Sequence, residues 1–272
     1  RGRGKTRQNA IVTNMTENTQ NQPALWKDLL PHKEAGQHKY DHGHALIYGA
    51  PALTGATNLA ASACARVGTG LVTVLSPQET KGIYRCVMPP HILVRDQGDE
   101  NDPRITAKLY GPGGITKTPD YSDQTTPHIL DADALQNLPS KLSPNFVLTP
   151  HQGEFDKAFP DAKGSRIEQA QHMAEKLNCH IVLKGAETII TAPNGKVVTN
   201  THAAPWLATA GSGDVLAGLI TGLAAQNMPI FEACCAGTWI HGACALAFGP
   251  YLVASDLVDI LPQVMRSLAV IE

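Results

Sequence analysis

The chain predicts an α/β protein built on an open, mostly parallel sheet with a small antiparallel edge. Three observations lead there. Short apolar, β-branched runs recur and stop at Gly, Pro or Asp; a Gly-rich turn and a helical apolar repeat separate two of them; and an Asn-Gly turn joins two others. Residues 1–14 carry Arg1, Arg3, Lys5 and Arg7 with no acidic residue and precede Met15, so they read as sequence upstream of a start residue. Residues 16–40 are polar and punctuated by Pro23 and Pro31, which predicts a mobile or wrapping lead-in, with ordered structure beginning near Ala45. Residues 45–48 then form a strand closed by Gly49, Pro51 and Gly55. Ala56, Leu59, Ala60, Ala63, Cys64 and Val67 recur at helical spacing before Gly68, and 71–75 is the next strand. That is a βαβ unit with a right-handed crossover.

Further strands are expected at 91–95, 108–110, 128–130, 146–148 and 180–183. Several end in a polar turn, as strands do where ligands gather beyond the carboxyl ends of a parallel sheet. Residues 165–178 place Ile167, Ala170, Ala174 and Leu177 on one face of a covering helix. Residues 187–192 and 196–199 flank Pro193-Asn194-Gly195 and read as a hairpin, because Asn-Gly accepts the positive φ angles of a tight turn. Residues 233–255 contain no Asp, Glu, Lys or Arg, yet they hold Thr238, His241, three glycines and Pro250, which favours a buried helix over a membrane span. The expected organisation is a lead-in over 1–40 and one domain over 41–272.

Composition narrows the function classes. The chain is 43% apolar and 17% charged, ordinary for a globular protein, with a formal charge of −2. Without its basic tail it is more acidic still, so it offers no electrostatic reason to bind nucleic acid or an anionic membrane. The six cysteines form no C-x-x-C pair, which suits a reducing compartment, and no signal-like segment opens the chain; the expected location is the cytoplasm. His38, His42 and His44 lack a third ligand type at metal-binding spacing.

Chemistry concentrates in a few segments. Thr209-Ala210-Gly211-Ser212-Gly213-Asp214 precedes an apolar helical repeat, so its small residues leave amides uncovered at a helix start, a ready anion cradle. Asp214 at its mouth suits a general base toward a hydroxyl attacking phosphate, or a plain helix cap. No Walker loop and no dinucleotide fingerprint is present, so phosphate must be held some other way. Gly111-Pro112-Gly113-Gly114, Asp131-Ala132-Asp133, Thr149-Pro150-His151-Gln152-Gly153-Glu154 and Lys184-Gly185-Ala186-Glu187-Thr188 each follow a strand. Taken singly, each also reads as a turn, a helix cap or an exposed lysine.

In this order, together with His38-Lys39-Tyr40, Thr54-Gly55-Ala56 and Arg66-Val67-Gly68-Thr69-Gly70, these blocks resemble the ADP- or ATP-dependent NAD(P)H-hydrate dehydratases, a branch of the ribokinase-like superfamily. The resemblance spans about His38 to Gly249. It implies a ribokinase-like α/β fold with helices on both faces of the sheet, and repair of hydrated NADH and NADPH by phosphoryl transfer to the ring hydroxyl followed by loss of phosphate. It implies Asp214 as the base and the amides of Ala210, Gly211, Ser212 and Gly213 as the anion hole. Lys184, Gly185, Ala186, Glu187, Thr188 and Gly213 are implied to hold the nucleotide, and Ala56, Gly113, Gly114, His151 and Asp214 to line the hydrated-cofactor pocket. ADP is the expected donor ahead of ATP, with Mg2+ neutralising charge and its ligands unassigned. A homo-oligomer, up to a tetramer, and a separately made epimerase are the expected partners. The sequence departs from the family pattern at Ala210, at Ala203-Ala204 and at Ile115. A ribokinase-like vitamin-precursor kinase using the same acid is the alternative activity, and a non-catalytic nucleotide-binding protein the second.

Overall fold

The computed structural model describes residues 19–269 apart from 97, 99 and 101, so the reading of residues 1–14 lies outside the described residues. Its strands are β1 (Thr19–Gln20), β2 (His44–Tyr48), β3 (Leu71–Ser76), β4 (Leu93–Asp96), β5 (Ala107–Tyr110), β6 (His128–Leu130), β7 (Phe146–Leu148), β8 (His180–Leu183), β9 (Thr188–Thr191) and β10 (Val197–Asn200). Its α-helices are α1 (Thr54–Arg66), α2 (Lys81–Val87), α3 (Gln152–Ala158), α4 (Arg166–Leu177), α5 (Ser212–Ala225), α6 (Ile230–Phe248) and α7 (Ala254–Ala269).

The strands form one sheet in the order β1-β10-β9-β8-β7-β6-β5-β2-β3-β4. Pairing is parallel from β8 through β4, antiparallel around β9, and parallel again between β10 and β1. The predicted hairpin is β9–β10, and the two-residue β1 adds outside it.

Period-two alternation explains why the central strands read as unbroken apolar runs. On β2, Ala45 and Ile47 enter the core shared with α1, α5, α6 and α7, whereas Leu46 and Tyr48 enter the core shared with α3 and α4. Both faces are covered, so every position is buried. Helix α6 is long and apolar enough by composition to cross a membrane, but 67% of its apolar window is buried and it packs against α5 and α7.

Order begins earlier than Ala45. Asn21, Trp26 and Leu30 are buried, and short 3-10 turns at Pro23–Leu25 and Lys27–Leu29 carry the chain across the molecule. The polar composition of this lead-in hid the few apolar side chains that anchor it. Helices α2, α3 and α7 also escaped the periodicity reading: two are seven residues long, and α7 contains Pro262.

Candidate functional site

Four adjacent parallel strands, β5 to β8, place polar groups beyond their carboxyl ends. Beyond β5, Gly111-Pro112-Gly113-Gly114 closes a turn in which Gly114 N donates to Gly111 O at 2.8 Å. Gly113 has φ 82°, and a Cβ there would lie 2.3 Å from Leu53 O and 3.1 Å from the Ala56 methyl. Only glycine admits both the angle and the approach. Thr57 of α1 ties the turn down, its hydroxyl donating to Pro112 O at 3.0 Å. The turn expected from the four residues is present, and it holds its backbone against Leu53 and Ala56 at the start of α1.

Beyond β6, the buried Asp131 takes a hydrogen bond from the Thr149 hydroxyl at 2.7 Å and from Lys184 Nζ at 2.8 Å. Ala132, next in sequence, is held at φ 46°, a left-handed conformation that a residue with a Cβ adopts at a cost. Beyond β7, His151 caps α3: its Nδ1 accepts from Glu154 N at 3.2 Å, while Glu154 Oε2 accepts from His151 N at 2.8 Å. Beyond β8, Lys184 N donates to Pro150 O at 2.8 Å, so the two loops run side by side. Lys184 Nζ also lies 3.8 Å from Glu154 Oε2.

The segment expected to form an anion cradle is a glycine turn into α5. Gly211 precedes α5 with φ 88°, and a Cβ there would meet Leu59 Cδ1 at 2.5 Å. The positive angle falls on Gly211 and not on Ala210, which is exposed, so the Ala210 departure needs no backbone strain. A Cβ on Gly213 would lie 3.2 Å from Lys184 Nζ, which puts the lysine against the first turn of α5. Asp214 stands in that turn. Burial pushes its carboxyl up to about 6; the Asp131 charge adds to the shift, Lys184 opposes it and Glu154 adds again.

A cavity of about 720 Å3 opens beside this cluster. Its polar lining includes His151, Lys184, Thr188, Asn200, Ser212 and His241. Ser212 Oγ and His241 Nε2 are 3.1 Å apart, and burial holds that imidazole down to about 4, so it is neutral at neutral pH. Ala203 and Ala204 lie in the cavity wall beside Gly242 of α6, where a Cβ would fall 1.7 Å from His202 O. Small side chains on both partners let these segments meet.

Of the predicted residues, the structure brings Lys184, Gly185, Ala186, Thr188, Ser212, Gly213 and His151 together on the cavity. Ala56 and Gly113 meet each other, and Gly114 lies near Pro51 and Asp133, in a separate cluster against the start of α1. Glu187 contributes its carbonyl to Arg166 at 3.0 Å. Two residues escaped the sequence reading, and Asp131 was read without its partner. Asp131 anchors Lys184, but its partner is 53 residues away. Arg166 donates to the carbonyls of Leu183, Lys184 and Glu187, bracing the loop after β8. Its one signal was a cation in the first turn of a helix, the end that favours anions. His241 stood out only as a polar residue in an apolar helix.

A family model described as NAD(P)H-hydrate dehydratase matches residues 44–263. The chain is 35% identical over 284 aligned residues to a bifunctional NAD(P)H-hydrate repair enzyme of Moorella thermoacetica, across 90% of this chain and 53% of that relative, so it spans about half the length of that protein. It is 33% identical to an ADP-dependent (S)-NAD(P)H-hydrate dehydratase of Neisseria meningitidis, over 74% of this chain and 75% of the other. Its fold superposes on the ADP/ATP-dependent NAD(P)H-hydrate dehydratase of Bacillus subtilis, co-crystallised with ATP and Mg2+, with a TM-score of 0.80 and 29% identity over 93% of this chain and 99% of that one. The sheet order, the structural superposition and the match over residues 44–263 agree: the chain has a ribokinase-like fold and belongs to the NAD(P)H-hydrate dehydratase family.

Proposed function

We propose that this protein returns hydrated NADH and NADPH to the reduced cofactors in a nucleotide-dependent dehydration. The observation that carries the reading is Asp214, a carboxylate in the first turn of α5 with its pKa lifted to about 6, at a helix start whose N-cap, Gly211, offers no side-chain cap to the first amides. Above that pH it is ionised and still basic enough to take a proton.

In this reading Asp214 removes the proton of the nicotinamide ring hydroxyl. The freed oxygen attacks the terminal phosphorus of the nucleotide, whose bond to the bridging oxygen breaks and releases the shortened nucleotide. The amides from Ala210 to Gly213 bind the charge spreading over the transferred group. Phosphate then leaves the ring carbon while the neighbouring carbon loses a proton, which restores the double bond of the reduced ring. Lys184, fixed by Asp131, sits where it pairs with nucleotide phosphate, and the mostly apolar cavity from Thr188 to Leu216 takes the base. Ala56, Gly113 and Gly114 line the place of the hydrated cofactor in this reading, whereas His151 lies on the cavity assigned to the nucleotide.

Among the described residues no group of three or more His, Cys, Asp or Glu side chains is arranged to hold a metal. Asp131 and Glu154 are engaged with Lys184. A bound Mg2+ supplies charge neutralisation on the phosphates, and here it fits as an ion carried in by the nucleotide with few protein ligands. The name of the Neisseria relative supports ADP as the donor, and that of the Bacillus protein supports ADP or ATP. A cytoplasmic homo-oligomer working alongside an epimerase activity is consistent with the same reading.

The test is recovery of reduced-nicotinamide absorbance after purified protein, Mg2+ and either ADP or ATP are added to hydrated NADH. A nucleotide-dependent rise is the expected result and identifies the donor. A folded protein that binds nucleotide and gives no rise with either donor would overturn the assignment in favour of a small-molecule kinase.

A further inference from the structure

Residue 21 lies outside the segment matched by the family model, yet its side chain is 3% exposed and fully used. Asn21 Nδ2 donates to Asn200 Oδ1 at 2.9 Å and to Cys235 O at 2.8 Å. Its Oδ1 accepts from the Trp26 indole N–H at 3.1 Å, and its backbone N–H donates to Thr199 O at 2.8 Å. The amide therefore joins the end of β10 to α6, two elements that both wall the cavity. Asn200 lines it directly and leads into Ala203 and Ala204, while α6 brings Thr238 and His241 one and two turns beyond Cys235. Asn200 in turn donates to His202 O at 3.1 Å, which fixes the bend between strand and wall. A second line of contact runs in parallel: Trp26 packs against Trp239 of α6 with ring centres 5.7 Å apart, and Trp239 stacks on His202 at 4.3 Å and 6°.

We propose that Asn21 is a positioning residue for nucleotide binding, holding the Asn200–Ala204 wall at a fixed distance from the α6 wall. The proposal rests on the reading of this cavity as the nucleotide site. Without Asn21, Asn200 Oδ1 loses its buried donor and the bend at His202 is free to turn away. The effect falls on nucleotide affinity, since the partners of Asn21 are Asn200, Cys235, Trp26 and Thr199 and none belongs to the 209–214 segment that holds Asp214.

The test measures ADP and ATP binding by calorimetry, together with steady-state kinetics and melting midpoints, for the full chain and for Asn21→Ala and Trp26→Phe. Asn21→Ala is expected to raise the Kd and KM for nucleotide about tenfold or more, the scale of stranding a buried polar partner, while kcat at saturating nucleotide changes less than about twofold. Trp26→Phe keeps the ring packing and removes the indole donor, so it should shift Kd in the same direction by less, and it serves if Asn21→Ala does not fold. A purely structural Asn21 would lower the melting midpoint and leave the Kd of the folded protein unchanged; that result, in either folded variant, overturns the proposal. Wild-type protein that binds neither ADP nor ATP overturns the reading of the cavity and this proposal with it. Normal nucleotide binding without dehydration removes only the reaction.

Discussion

Asp214 is where the chemistry is most exposed to test. Asp214→Asn keeps the shape of the first turn of α5 and removes the proton acceptor, so turnover should fall by about a hundredfold or more with nucleotide affinity nearly intact. Near wild-type turnover in single-turnover experiments would remove it as the base. Because burial and then Asp131 lift its carboxyl to about 6, kcat/KM should climb with pH up to about 6 and level off above it. Asp131→Asn takes away one of the charges that raise this value, so the acidic limb of the profile should move to lower pH. An unmoved limb would assign it to another group. The stretch 209–214 was legible in the sequence because the glycine turn and the carboxylate that follows it are local to the start of one helix. Asp131 and Lys184 were legible only as fragments, since nothing in either loop says that the two strand ends are neighbours. Arg166 and His241 act entirely through contacts of that long-range kind.

The elements show which local signals survive packing. Helix α1 meets α5 so closely that a Cβ on Gly218 would lie 2.1 Å from Ala60 O, and one on Gly222 would lie 2.7 Å from Cys64 O. The glycines that weaken α5 as an isolated helix are what allow that approach. Gly218→Val should therefore cost at least about 1–3 kcal/mol of stability, read as a lower denaturation midpoint, and an unchanged midpoint would mean that the helices separate without penalty. Arg166→Ala should loosen the three carbonyls of the loop after β8 and raise the nucleotide KM several-fold, with little change in kcat. Equal kinetics in a folded variant would leave Arg166 as surface packing. Strands and the longer regular helices were readable because their period is set by burial; α2 and α3 are too short for a period to show. The lead-in strand was unreadable because two residues carry no pattern, and its place is set by β10.

For the molecule as a whole, several histidines are buried in neutral form. Burial depresses His128, His180 and His241 to about 4 and also lowers His44, against a free value of 6.5. The unfolded chain therefore takes up protons first, so stability is full above about pH 6.5 and is lost as pH falls toward about 4. Asp214 works in the opposite sense, since its raised pKa favours the folded state below about 6, but it is one group against several. Thermal midpoints taken from about pH 7 down to about pH 4.5 should fall steadily, and a flat profile would show that these imidazoles find partners on protonation. The overall architecture was the most legible scale, because alternating strand and helix with a glycine-marked hairpin leaves few ways to arrange a parallel sheet. The pairing of β1 with β10 sets a timetable on synthesis. Asn21 and Asn200 stand 179 residues apart, so the first described strand to leave the ribosome must wait until most of the chain has followed before it has anything to pair with. Until then Trp26 and Leu30 stay uncovered, and the cavity wall that Asn21 braces is among the last parts of the nascent protein to take shape.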